Sequence, residues 1–236
     1  MKSMRRLVAA LFLFGISFGY VEAAVVVYLR AIYQPLRAAI HPGRGSNDLF
    51  PLITPQQLAA TGPENTRRLV IEIVREAATM GMLASFALAV ARNFHSWVAA
   101  FAVVFGIWDI AFYAFLRILI HWPPSLTTWD ILFLIPLPWV GPVWSPVVVA
   151  LSMILCGLIA LQRGVRARLR DAAIILAGAV IIIVAFVWDF RNTSAGGMPN
   201  PFNWPLFLTG EIAGLIGFVS ALTAPRYPES RTERDS

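Results

Sequence analysis

Apolar residues along this chain fall into six stretches long enough to cross a bilayer, separated by short polar or breaker-rich links. A spanning helix needs roughly 20 predominantly apolar residues. The pattern predicts spans at about 7–29, 69–91, 97–120, 145–162, 172–189 and 205–222. The expected fold is therefore an all-α integral membrane protein, one bundle of about six transmembrane helices over residues 1–225. A polar tail at 226–236 is expected to be disordered and cytoplasmic.

The links refine this picture. Residues 30–68 are the longest polar segment, with a breaker-rich run from His41 to Asp48. Within it, Thr54-Pro55 reads as cap and first position of a short helix, and Pro63-Glu64 opens the next span in the same way. Arg92 to Ser96 leaves room only for a tight antiparallel turn. Residues 121–146 hold six prolines and four tryptophans. The apolar run Ile131–Ile135 is too short to cross, and Pro136, Pro138, Pro142 and Pro146 oppose a regular helix. A re-entrant or interface-lying segment is expected here, covering the bundle with Trp129, Asp130, Trp139 and Trp144 near headgroup depth.

Composition agrees. Hydrophobic residues make up 58% and charged residues 14%, against roughly 25% charged in soluble domains. Lys2 is the only lysine, so arginine carries the net charge of +6. Placing the N-terminus in the cytoplasm puts eleven Lys and Arg inside and six outside, with Arg75 and Arg117 within spans. Arg163, Arg166, Arg168 and Arg170 form the densest basic cluster. Positive-inside bias accounts for these residues, and nucleic acid is not an expected partner. The expected location is the cell (inner or plasma) membrane with both termini cytoplasmic. Membrane lipid is the expected partner, and a second membrane protein the other one to consider. A signal peptide ending near Val21-Glu22-Ala23 competes with the first span, but apolar character resumes at Ala24, which favours a retained helix.

Ionisable side chains inside a membrane cost about 2.5–3.5 kcal/mol each on insertion scales, so they are functional hypotheses by default. The spans contain Glu22, Glu72, Glu76, Asp109 and Glu211, with Arg75 and Arg117. A rise of about 1.5 Å per residue puts Glu22, Glu76 and Glu211 roughly 10 Å below the outer surface and Asp109 roughly 16 Å below. Asp109, Tyr113, Arg117 and His121 recur every fourth residue and form a polar stripe along the third span. Clustered carboxylates in low dielectric must pair with arginine, share a proton or hold a cation. The expected activity is proton or cation binding, coupled to transport. The alternatives are a membrane-embedded enzyme with a lipid-soluble substrate and a structural or interaction subunit of a complex.

Several chemistries lack their residues. Cys156 is the only cysteine and the three histidines are scattered, so thiolate metal sites and bis-histidine haem ligation have no ligand set. There is no Glu-x-x-His, Walker A, Gly-x-Ser-x-Gly or His-Glu-x-x-His motif. No cofactor is expected. Asn192-Thr193-Ser194 matches a glycosylation sequon, which by itself assigns nothing.

Overall fold

The computed structural model describes residues 2–45 and 48–224; the predicted tail lies outside the described residues. Eight helices and two strands follow in order among the described residues: α1 (Lys2–Ile40), α2 (Pro55–Ala60), α3 (Pro63–Val90), α4 (Phe94–Ile120), β1 (Trp129–Phe133), β2 (Trp139–Pro142), α5 (Trp144–Arg163), α6 (Leu169–Val187), α7 (Phe190–Ser194) and α8 (Trp204–Thr223). Among the described residues, six helical segments are long and apolar enough to cross a membrane: α1, α3, α4, α5, α6 with its extension to Ser194, and α8. The chain is an all-α membrane bundle.

Local chemistry sets the helix ends. The Thr54 hydroxyl accepts from the Gln57 amide and the Gln57 side chain reaches back to the Thr54 amide, a capping box that starts α2. Asn93 and Ser96 do the same for α4, which ends on His121 in the left-handed conformation. Gly164, also left-handed, closes α5 just after Arg163.

Two elements differ from the sequence expectation. Helix α1 does not stop near Leu29 but continues to Ile40, through Arg30 and an internal Pro35. The Pro/Trp segment forms an antiparallel β-hairpin, pairing Trp129 with Pro142, Asp130 with Gly141 and Ile131 with Val140. A register shift between Ile131 and Phe133 brings Phe133 opposite Trp139. Proline sits where it takes no ladder donor, at Pro136 and Pro138 in the connection and Pro142 at the strand end. The flanking amides are satisfied: Val143 donates to the Thr128 carbonyl at 2.9 Å and Trp144 to the Leu126 carbonyl at 2.8 Å.

Helix α4 is the axis of the body, packed along α1 and α5 and more lightly on α3, while α6 and α8 pack on one another along their length. Small residues allow the closest approaches. A Cβ at Gly19 of α1 would lie 2.8 Å from the Trp108 carbonyl oxygen of α4, and one at Gly178 of α6 would lie 2.6 Å from the Gly210 carbonyl oxygen of α8. Leu11, Leu83, Val103, Val104, Ile107 and Trp108 fill the core at one end of the body. Ala23, Tyr113, Leu116, Trp122 and Val143 fill it at the other.

The two ends of the bundle carry different links. The ring of His95, after the α3–α4 turn, meets the Ala167 carbonyl of the α5–α6 loop at 3.4 Å. At the opposite end Arg44 reaches the Met198 sulfur at 3.7 Å, so the α1–α2 and α7–α8 loops lie together. The hairpin belongs to this second end.

Candidate functional site

The carboxylates singled out by sequence, with the charges around them, separate into three groups. In the first, Arg75 of α3 reaches across to α1, where its Nη1 lies 2.7 Å from Glu22 Oε2. The same guanidinium holds Glu72 one turn away, with Nη2 to Oε1 at 2.5 Å and Nε to Oε2 at 2.9 Å. Its Nη1 also donates to the Thr79 hydroxyl at 3.2 Å, and that hydroxyl donates to Glu22 at 3.5 Å. One cation thus holds two carboxylates from two helices. Glu76, a turn beyond Glu72, lies within their electrostatic reach but is engaged elsewhere: its Oε2 accepts the Leu134 amide of the hairpin at 2.8 Å.

The second group lies where the hairpin meets α4. Asp130 on β1 is 5% exposed. Its Oδ2 accepts the Tyr113 hydroxyl at 2.8 Å and its Oδ1 the Ile131 amide at 2.8 Å. Asp109 sits one helical turn before Tyr113, within electrostatic reach of Asp130, and its buried Oδ2 has no hydrogen-bond partner among the described residues. Arg30 of α1 completes the group. Its guanidinium carbon stands 3.9 Å from the centre of the buried Trp122 ring and its charge acts on Asp130. Burial pushes the Asp130 carboxyl up to about 6, against the lowering influence of the Tyr113 hydroxyl, the Arg30 charge and the Ile131 amide.

The third group is apart from both. Glu211 of α8 is 8% exposed and faces Ser152 and Cys156 of α5, and its buried Oε1 has no partner among the described residues.

The five carboxylates of the sequence analysis are therefore not gathered around one point. Glu22, Glu72 and Glu76 share one neighbourhood, Asp109 belongs to a second and Glu211 to a third. Among the described residues, no three His, Cys, Asp or Glu side chains are grouped as metal ligands. The polar stripe on α4 also divides. Asp109 and Tyr113 turn into the hairpin contact, whereas Arg117 donates to the His121 carbonyl at 2.7 Å and the Pro123 carbonyl at 3.4 Å, fastening the helix end. Of the tryptophans, Trp129 meets Phe50 and Phe202 edge-on, Trp139 stacks on Phe186 at 6.0 Å, and Trp144 is largely exposed.

Arg30, Thr79 and Ser152 were not singled out by sequence. By hydropathy Arg30 falls in the polar link, yet Leu29, Tyr33, Leu36 and Ile40 keep helical spacing past it and signal that the helix continues. Asp130, read as part of the cover, is instead the carboxylate that ties the cover to the bundle. Set against known protein families, curated proteins and solved structures, the chain matches none of them.

Proposed function

We propose that this chain is a multi-pass protein of the cell (inner or plasma) membrane that takes up and releases a proton at Asp109, Tyr113 and Asp130, coupled to transport. The observation that carries this reading is the buried Asp130, bound to the Tyr113 hydroxyl at 2.8 Å with the unpartnered Asp109 oxygen one turn along the same helix. Tyr113 is both donor and acceptor, so its hydroxyl can stay bonded to Asp130 whether that carboxyl is ionised or protonated. The Arg30 charge offsets the negative charge left when the proton departs. Because Asp130 is on the hairpin and Tyr113 on α4, each change of charge acts on the contact that fastens the cover to the bundle. Cytoplasmic termini are supported by the basic links: the turn holding Arg92 and the loop holding Arg163 to Arg170 share one end of the bundle. The opposite end, with the hairpin, then faces outward.

A proton rather than a metal ion suits the donor set, because Asp109 and Asp130 are accompanied by a hydroxyl and a guanidinium and not by further carboxylates. Glu22 and Glu72 are spoken for by Arg75 and serve to lock α1 to α3.

The pH dependence of stability tests this reading. Asp130 is raised in the folded chain from 3.8 to about 6. It therefore contributes stability that is complete below the unfolded value and is lost as pH rises through about 6. Two pKa units correspond to about 3 kcal/mol. Thermal unfolding in detergent should show a midpoint that falls between about pH 4 and pH 7, and Asp130→Asn should flatten that fall while keeping the Tyr113 hydrogen bond. An unchanged slope in the variant would remove Asp130 from the proton site.

A further inference from the structure

Arg30 is the least satisfied cation in the described structure. Its Nε and Nη1 are both buried, and neither finds a hydrogen-bond partner among the described residues. Asp130 is its electrostatic counterpart, yet the bonds its two oxygens accept come from the Tyr113 hydroxyl and the Ile131 amide and not from the buried Nε or Nη1 of Arg30. Leaving charged N–H donors buried and unmade costs more than a typical hydrogen bond returns, so such donors ask for an acceptor. The Trp122 ring covers one face of the guanidinium at 3.9 Å, which fixes its plane. The surroundings are basic. Arg37, two turns along α1, acts on Arg30 and is itself fastened to the carbonyls of Leu49, at 2.7 Å, and Asp48. Arg117 is fastened to the carbonyls on either side of Trp122. Arg37 also has the Asp48 carboxylate acting on it, whereas the bonds of Arg117 go to carbonyls, and Arg30 keeps buried donors without partners. Tyr113 and Asp130 are the acidic groups that act on Arg30, and Asp109 lies behind them.

We infer that Arg30, seated on Trp122, is the recognition point for an oxyanion, of sulfate, phosphate or carboxylate type, and that protonation of Asp130 strengthens its binding. A planar guanidinium with free edge donors matches the oxygens of such a group. While Asp130 is ionised it supplies Arg30 with a countercharge; once protonated it does not, and the incoming anion takes over that role. Proton and anion then bind together, which is the linkage a proton-coupled carrier of anions requires. This inference rests on the proton-site reading for its pH dependence but not for the anion site itself.

The test uses the full chain in detergent at about pH 5 and pH 8, with sodium sulfate as a free oxyanion and phosphatidylglycerol micelles as a lipid-borne one, since neither probe changes charge over that range. Thermal shift against probe concentration is the readout, with sodium chloride matched for ionic strength. Wild type should bind at the lower pH and at least tenfold more weakly at the higher, a difference of about 1.4 kcal/mol. Arg30→Gln should abolish the shift at both pH values. Arg30→Lys, which keeps the charge but loses the planar fork, should retain only a weak response and serves if the glutamine variant does not fold. A response to sulfate identifies a soluble anion as ligand, and a response to phosphatidylglycerol alone identifies a headgroup. Equal shifts in wild type and Arg30→Gln, or none with either probe, would overturn the site. Equal affinity at both pH values in wild type would leave the anion site standing and overturn its link to Asp130.

Discussion

Replacing Arg75 with Gln should cost about 3–5 kcal/mol of stability, because it leaves charge buried without its partner. Glu22 and Glu72 lie at side-chain exposures of 9% and 14%, and the Arg75 guanidinium is the cation that both carboxylates contact. An exposed pair of this kind would be worth less than about 1 kcal/mol, since water would take over its solvation. Here the carboxylates are largely buried between helices instead. Glu22→Gln should cost less, because an amide still accepts from Arg75 and Thr79 and no lone charge remains. Adding Glu22→Gln and Glu72→Gln to Arg75→Gln should then recover part of the loss, so the three changes should be strongly non-additive. Unfolding in mixed micelles measures each variant. If Arg75→Gln alone stays within about 0.5 kcal/mol of the parent, the trio is solvated and does not lock α1 to α3.

The second large effect is steric. At Gly210, a Cβ would lie 2.7 Å from the Gly178 carbonyl oxygen and 2.9 Å from the Ile182 amide nitrogen. These are backbone atoms, so the clash is relieved only by moving α6 away from α8. Close backbone approach is what holds apolar helices together in a membrane, where burying oily surface gains little. Gly210→Val should therefore lose about 3 kcal/mol, the upper end of ordinary overpacking, and detach the α6–α8 pair. Gly214, one turn on, provides the contrast: a Cβ there meets nothing within 4 Å. Gly214→Ala should be neutral or slightly stabilising, since alanine is about 1 kcal/mol better in a helix. Equal losses at the two positions would mean that the close approach of Gly210 to α6 is not what sets the cost.

The spans were legible because hydropathy reports whether a segment can sit in lipid: α4, α5, α6 and α8 begin and end within a few residues of expectation, and α3 ends as expected but begins earlier, at Pro63 as the Pro63-Glu64 signal implied. Helix α1 was underestimated for the converse reason. Arg30, Gln34 and Arg37 lower the local hydropathy, but helical spacing of apolar residues persists to Ile40. The hairpin was recognised as a break and not as strands, because proline tells where a helix cannot be without specifying what replaces it. For the candidate site, sequence gave depth without direction. Counting residues from a span end fixes height at about 1.5 Å per residue, but the rotation of each helix about its axis is set by packing. Glu76 and Glu211 come from similar heights, yet one bonds the hairpin at Leu134 and the other faces Ser152 of α5. The pairing of Glu72 with Arg75 was readable because both lie on one helix. The meeting of Tyr113 with Asp130 was not, because it depends on how a hairpin folds back across α4.

In the proposed function Asp130 exchanges a proton at the root of the hairpin. Infrared difference spectroscopy of the reconstituted chain, titrated between about pH 4 and pH 8, observes that proton directly through the carbonyl stretch of the neutral acid. Wild type should lose a carboxylic-acid band with a midpoint near 6, Asp130→Asn should lack that band, and Tyr113→Phe should shift its position and midpoint. A spectrum without a titrating acid near that pH, or a band that survives Asp130→Asn unchanged, would contradict the account.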